Sequence, residues 1–441
     1  MRISSTMMSN NYLKQLNGTY EQYSKLMEQA DGSKLHRASD NAVGYSKYLR
    51  YQNNQISNEQ YQSNVSTAAS WMKNADAALV NVTDLLQTFK AKVEQGSNST
   101  NNESDMKDIA KELLANVQEQ VADLNTQIGD RFLFAGQKDT TMPFEISADK
   151  MNRGDTFTLD EKQSAFFSGA TGWGAENTTV KQMLKLNGDD GNSYYMNVNT
   201  GDVYTEDFVK NGYKNEDKFD PAKQRVGNIT AITDPPTAYK VSDHFDQYGV
   251  IKTDAGVGTN AKYNVTVDGK QVNLTLSTTK QYIVKYAGDD KYISMVKKNG
   301  GVDKATDTVN VTGQDINGCD LFDVGNDPHS GTARLNQLLY TVAKLDGADY
   351  KWAGEQGMTI ADSAHATVLG AQTKMAARQQ AYNSSSSMLV TQNESITSDI
   401  SDVSSTDVAQ LATKLMEYQT IYSLSLSVGS KILPGTLADY L

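Results

Sequence analysis

YQSNVSTAASWMKNADAALVNVTDLLQTFKAKV, residues Tyr61 to Val93, sets the architecture of this chain. Stepping alternately by four and three positions meets Tyr61, Val65, Ala68, Met72, Ala75, Leu79, Val82, Leu86, Phe89 and Val93, all apolar, with Lys, Asn, Asp, Gln and Thr filling most of the gaps. A period of 3.5 residues held this long predicts one straight helix whose apolar stripe must be covered by partner helices along its whole length. At ~1.5 Å per residue it makes a rod of roughly 50 Å. No proline or glycine interrupts it, and Ala68 and Ala75 let a partner backbone come close.

Toward the N-terminus, Leu13, Leu16, Tyr20, Tyr23, Met27 and Ala30 repeat at 3-4 spacing and predict a first amphipathic helix. It stops at GSKLHRASDNA, Gly32 to Ala42, where Ser39, Asp40 and Asn41 are N-cap candidates for the next helix. Tyr45, Leu49 and Ile56 then share one face, followed by the polar run NNQISNEQ and the long seam. Past Val93, EQGSNSTNNES (Glu94 to Ser104) reads as a turn between antiparallel helices. A third helix carries Ile109, Leu113, Val117, Val121, Leu124 and Ile128 and closes near Gly129, and RFLFAG, Arg131 to Gly136, leads out.

At the other end, Leu335, Leu338, Leu339 and Val342 begin a short helix. Val368, Met375, Tyr382, Leu389, Ile396 and Val403 then fall seven apart, with His365, Gln372, Gln379, Ser386, Asn393 and Ile400 at the other seam position. This is the long partner that the first seam requires, and its polar half-seam helps set register. The phase breaks at SSTD, Ser404 to Asp407, and a new 3-4 seam runs through Val408, Leu411, Leu415, Tyr418 and Tyr422. Both chain ends therefore carry a separate amphipathic helix joined by a polar hinge to a bundle. Neither terminal stripe can be covered fully by the other, so neighbouring copies are the expected cover, and the helices are expected to be largely disordered before assembly.

The six prolines, Pro143, Pro221, Pro235, Pro236, Pro328 and Pro434, leave both ends nearly proline-free and the centre not. From about Pro143 to Gly331 the pattern changes to short alternating runs with glycine and asparagine turns. YNVTVDGKQVNLTL is the clearest hairpin, with Asp268-Gly269 between Val265 and Val267 on one side and Val272, Leu274 and Leu276 on the other. QYIVKYAGDDKYISMV and YYMNVNTGDVY read as two more. The fold class is mainly α with an inserted β-rich region. The domains are terminal helices at 1–31 and 405–441, a helical rod at 32–142 and 332–404, and one or two inserted β-rich domains at 143–331.

A formal charge of −12 and a mean hydropathy of −0.56 describe a solvated surface and argue against a nucleic-acid partner, which needs a basic stripe to neutralise phosphates. The single cysteine, Cys319, cannot form an internal disulfide. MRISSTMMSNNYLKQL has no apolar core of a signal peptide, and no run of ~20 apolar residues spans a membrane. Export by the general secretory route is therefore not expected, a cytosolic chain and one exported without a cleavable signal peptide both fit, and no membrane partner is expected. His36, His244, His329 and His365 show no metal spacing, and GDDG at Gly188 and GDD at Gly288 lack the distal glutamate of a calcium loop. No nucleophile elbow, P-loop or dinucleotide fingerprint occurs, so no catalytic residue, metal or cofactor is expected.

Paired helical ends around a variable β-rich middle resemble bacterial flagellin and its junction relatives. GSKLHRASDNAVG resembles the flagellin-type turn between the inner terminal helix and the rod. NEQYQSN at Asn58 to Asn64, Trp71, AALVNVTDLL, and IGDRFLFAG at Ile128 to Gly136 are more similar to the hook-filament junction branch, the hook-associated protein 3 family, than to filament flagellin. KILPGTLADYL, Lys431 to Leu441, resembles that branch's C-terminus, while His36-Arg37 departs from its usual Arg-Ile or Arg-Pro. The resemblance spans about the first 140 and last 110 residues.

It implies a structural, non-enzymatic subunit of the extracellular flagellum. Such a subunit is exported unfolded by the flagellar apparatus, with a chaperone on its C-terminal helix, and polymerises as a short ring between hook-associated protein 1 and flagellin. The residues expected at subunit interfaces are Leu13, Leu16, Tyr20, Tyr23, Met27, Val408, Leu411, Leu415, Tyr418, Tyr422, Leu437 and Leu441. Two alternatives stand beside it: filament flagellin, separated by copy number, and a secreted adhesin or enzyme borne by the middle region, separated by assaying that region alone.

Overall fold

The computed structural model describes residues 5–39, 41–168, 180–198, 200–216, 219–229, 244–252, 262–267, 269–293, 308–318, 320–322 and 331–432. Asp40, Asp268, Cys319, His329, Leu437 and Leu441 lie outside these residues, as does most of KILPGTLADYL. In chain order the main helices are α1 (Ser5–Glu28), α2 (Ala42–Gly96), α3 (Glu103–Leu124), α4 (Glu161–Ser168), α5 (Glu206–Lys210), α6 (Gly313–Asn317), α7 (Ala333–Asp346), α8 (Met358–Ser404) and α9 (Val408–Ile432). The strands are β1 (Gln127–Ile128), β2 (Arg131–Phe132), β3 (Phe144–Ile146), β4 (Met151–Gly154), β5 (Thr156–Thr158), β6 (Gln182–Gly188), β7 (Ser193–Met196), β8 (Asp202–Thr205), β9 (Gly227–Asn228), β10 (Lys262–Val267), β11 (Lys270–Leu276), β12 (Thr278–Gln281) and β13 (Val284–Tyr286). Helical ends flank a β-rich middle, the class the sequence predicts. The chain divides into two compact units, Met1–Ser66 with Ser384–Leu441, and Thr67–Asn383.

In the unit Thr67–Asn383, every seam position of α2 from Ala68 to Val93 is buried, as the 4-3 alternation requires. Asn102 begins α3 with a capping box, its side chain accepting from the Asp105 N–H while the Asp105 carboxylate accepts from the Asn102 N–H. Ile128 is not on that helix. It starts a hairpin, pairing with Arg131 across Gly129 (φ +64), because the helix ends at Asn125 and a left-handed glycine turns the chain. In α8, Val368, Met375 and Tyr382 are buried as expected, but the alternate seam position belongs to Ala364 and Ala371. His365 and Gln372 sit half-buried beside them, since counting only large apolar residues passes over alanine.

Helix α7 is buried on nearly all faces, which four apolar residues at 3-4 spacing did not reveal. The Asn336 amide makes this possible by acting as a strand partner: its Oδ1 accepts from the Val284 N–H at 2.8 Å and its Nδ2 donates to the Val284 carbonyl at 3.1 Å. Gln356, in a π-turn at Ala353–Gly357, pairs with both backbone groups of Thr158 in the same way. Buried amides whose two ends are both engaged carry little desolvation penalty.

The middle is one antiparallel sheet of order β10-β11-β6-β7-β8-β9, with β5 also on β6, and two ribbons, β4 with β12 and β3 with β13. Alternation buries both faces. Leu184, Leu186, Met196 and Val203 face a core with Val265, Leu274, Phe245 and Phe322. Met183, Tyr195 and Tyr204 face Phe167, Val209 and Phe219 from the α4 and α5 side. Two expected hairpins form: Val265 pairs with Val272, and Tyr195 with Tyr204. The third does not. QYIVKYAGDDKYISMV contributes β13, whose partner is β3, so the pairing is long-range and no local turn signal encodes it.

In the other unit, Asn41 caps α2 by accepting from the Gly44 N–H at 2.9 Å. Here the inward line of α2 is polar. Asn58 is buried, its Nδ2 donates to Gln392 Oε1 at 3.3 Å, and Gln62 donates to Asn58 Oδ1 and to the Leu389 carbonyl. Tyr61, Leu49 and Ile56 are exposed, against the face drawn from spacing alone; the seam that holds Val65 continues upstream through Gln62 and Asn58. The hinges clasp each other: Ser33 bridges Ser405, the Lys34 N–H donates to the Ser404 carbonyl at 2.8 Å and the Thr406 N–H to the Gly32 carbonyl at 2.9 Å. Leu35 is buried beneath them.

Candidate assembly surface

Helices α1 and α9 pack on each other. Gly32, at φ +94, ends the first helical segment, and Asp407 starts α9 by accepting from the Ala409 and Gln410 N–H groups at 3.0 Å each. The inward line of α1 is Tyr12, Leu16, Thr19, Tyr23 and Leu26, each half-buried; that of α9 is Leu411, Leu415, Tyr418, Tyr422, Ser425 and Gly429. The Tyr12 hydroxyl donates to the Ser425 carbonyl at 2.6 Å, and the Tyr20 and Tyr422 rings lie 5.8 Å apart. Gly429 leaves room for the Tyr12 ring, since a Cβ there would lie 2.6 Å from Tyr12 Cζ. Both terminal helices are thus formed in the single chain, where disorder was expected, because each covers part of the other's stripe.

The cover is thin. Among the described side chains of the two helices only Leu411, 5 % exposed, and Gly429 are buried. Leu13, Tyr20 (56 %) and Met27, seven residues apart, form an exposed line on α1. On α9, Val408, Met416 (69 %), Ile421, Leu424 (60 %), Leu426 and Val428 are all exposed. Of the residues singled out from sequence, Leu16, Tyr23, Leu411, Leu415, Tyr418 and Tyr422 line the contact between the helices, Tyr20 is largely exposed beside the Tyr422 ring, and Leu13, Met27 and Val408 stand in solvent. Met7, Met8, Met416, Leu424, Leu426 and Val428 were missed, because they fall off the 3-4 seam; the signal was that α9 is apolar around most of its circumference. Covering one such side chain returns roughly 1.5–3 kcal/mol, which outweighs an ordering entropy of about 0.5–1 kcal/mol for leucine and roughly offsets the ~1.5–2 kcal/mol of methionine.

The hinge carries the charge: Arg37 pairs with Glu28 at 2.8 Å and His36 lies 3.3 Å from Asp31, both on the surface, where such pairs contribute little. Among the described residues no group of three or more His, Cys, Asp or Glu could hold a metal, and no helix is long and apolar enough to cross a membrane. The carboxylates of GDDG are used in turns: Asp189 accepts from Asn273, and Asp190 from Asn192 and the Tyr194 hydroxyl.

Residues 3–139, which hold α1 to α3 and the β1-β2 hairpin, match the model of the bacterial flagellin N-terminal helical region. The flagellin of Salmonella montevideo is 26 % identical over 302 residues, 59 % of this chain and 58 % of that one, and that of Salmonella dublin aligns to the same extent. The chain thus spans under two thirds of the length of these relatives. A structure described as a flagellar hook-associated protein from Vibrio parahaemolyticus covers 83 % of this chain and 100 % of its own at 15 % identity and a TM-score of 0.41. The flagellar junction protein FlgL from Legionella pneumophila covers 77 % and 99 % at 12 % identity and a TM-score of 0.34. The first helices of this chain thus match a flagellin N-terminal region, and the chain is similar to flagellins beyond it.

Proposed function

We propose that the chain is a structural, non-enzymatic subunit of the bacterial flagellum that polymerises through α1 and α9. The observation that carries this reading is the row of large apolar side chains that the two helices leave uncovered on each other, Leu13, Tyr20 and Met27 against Met416, Leu424 and Val428. Soluble monomers rarely keep such surfaces open, and a second copy of the same pair supplies matching ones. In this reading residues 1–31 and 405–441 form the inner axial part, 32–142 and 332–404 the rod, and 143–331 the outward part.

Its place is the hook-filament junction, between hook-associated protein 1 and flagellin, in a ring of copies. The subunit reaches it through the flagellar export apparatus after a chaperone has held its C-terminal helix. Support comes from NEQYQSN, Trp71 and RFLFAG, which resemble the junction branch. Filament flagellin is the second reading, favoured by the flagellin relatives, and copy number per flagellum separates the two. Deleting the gene tests the first: hooks without filaments and free flagellin in the medium are expected, and normal filaments would refute it. Removing Leu437 to Leu441 should leave the chain folded yet stop incorporation.

A further inference from the structure

A second buried arginine distinguishes the core of the unit Thr67–Asn383. Arg153 is buried but meets the Asp320 carboxylate, and its Nε donates to the Tyr248 carbonyl at 3.0 Å. Arg334, only 3 % exposed, meets no carboxylate. Its partners are neutral amides: Nη1 donates to Gln120 Oε1 at 2.6 Å and Nε to Asn317 Oδ1 at 3.1 Å.

Those amides cannot turn to offer more. Asn317 Nδ2 is held by the Gly331 carbonyl, Gln120 Nε2 by Asn116 Oδ1, and Asn116 Nδ2 by the Leu85 carbonyl. Each oxygen in this chain already accepts, and Arg334 Nη2 is left with no acceptor. Burial alone pushes the guanidinium pKa down to about 9, still well charged at neutral pH. A buried cation with no opposite charge beside it is strongly disfavoured.

The same place holds a helix start without a cap. Thr332 precedes α7 but its side chain caps none of the first N–H groups; its hydroxyl oxygen accepts instead from Asn336 Nδ2 at 3.0 Å. Thr332, Ala333 and Leu335 are all buried, which keeps bulk solvent from the start of the helix. Arg334 is the second residue of this helix, and Asn317 ties its guanidinium to the carbonyl of Gly331, just before the helix begins. The guanidinium is thus tied beside the start of a helix whose positive terminus has no side-chain cap, and both are shielded from solvent.

We infer that a small inorganic anion of the halide class binds between Arg334 Nη2 and the uncapped N-terminus of α7, as a structural counter-ion of the folded chain. Fully buried N–H donors favour a compact monovalent ion over a hydrated multivalent one, because less hydration is lost. Binding only the folded state, the anion links stability to its concentration.

The test is urea unfolding of the full-length chain in chloride against gluconate at constant ionic strength. Above the dissociation constant, each tenfold rise in chloride should raise the folding constant about tenfold. Arg334→Met should lose this dependence, and retention of the full chloride effect by that variant would overturn the assignment. Should the variant not fold, bromide anomalous diffraction from crystals of the unaltered chain decides: a peak against the Arg334 guanidinium supports the site and its absence refutes it. Equal midpoints in chloride and gluconate would likewise refute it.

Discussion

The Tyr12 hydroxyl donates to the Ser425 carbonyl at 2.6 Å across 413 positions of sequence, and Gly429, one turn on, leaves the room for the ring. Two effects compete in Gly429→Ala. Alanine favours the helix by about 1 kcal/mol, whereas displacing Tyr12 loses a hydrogen bond of about 1 kcal/mol and overpacks the contact by a further 1–3 kcal/mol. The second wins: hydrogen exchange should show faster opening of α1 against α9, while an isolated α9 peptide gains helicity. Slower opening in the variant would mean the contact is not limiting.

Charge placed on the uncovered faces should block assembly and spare folding. Met416→Glu and Leu424→Glu put carboxylates on exposed positions, so thermal unfolding of the chain should shift by no more than about 0.5 kcal/mol. In an assembled state the same carboxylates would be desolvated at a cost of several kcal/mol. Sedimentation under polymerising conditions should show monomers for both variants; polymers formed at the normal rate would remove α9 from the interface.

Leu79→Pro acts on the other unit. Leu79 is fully buried at the middle of the α2 seam, and proline there removes a backbone hydrogen bond and kinks the helix, costing at least about 3 kcal/mol before the lost packing is counted. Circular dichroism should show reduced helicity and an earlier melt. An unchanged melting profile would contradict a continuous buried α2.

Alkaline pH should destabilise the β-rich middle. Burial raises the phenol pKa of Tyr195, Tyr204, Tyr263, Tyr286 and Tyr340, with Glu206 adding at Tyr195 and Asp155 at Tyr340. Tyr292 is pushed up to about 12, by burial and then by Asp315. A folded pKa above the unfolded one means the folded state holds its protons longer. The stability this brings is complete below about pH 10, the unfolded value, and is lost as pH rises from there through the folded values. Urea midpoints should fall steeply above about pH 10, with tyrosinate absorbance appearing together with unfolding. Ionisation of all the tyrosines without unfolding would show these phenols to be accessible.

What sequence alone settled is whatever rests on near neighbours in the chain. The α2 seam from Val65 to Val93, the Gly32 stop, the Asn102 turn and the hairpin across Gly269 each follow from periodicity or local turn chemistry acting over a few residues. The terminal helices were legible for the same reason, and half of the residues singled out on them line the contact between α1 and α9.

The tertiary structure decided which face of each helix is covered and which distant segments pair. Nothing near β13 in sequence names β3 as its partner, and nothing near Asn336 says its amide will complete a strand. Leu49 and Ile56 share an apolar face in sequence but stand in solvent, because the seam opposite α8 is set by Asn58 and Gln62 meeting Gln392 and the Leu389 carbonyl. Burial is a property of two surfaces, and one chain segment specifies only its own.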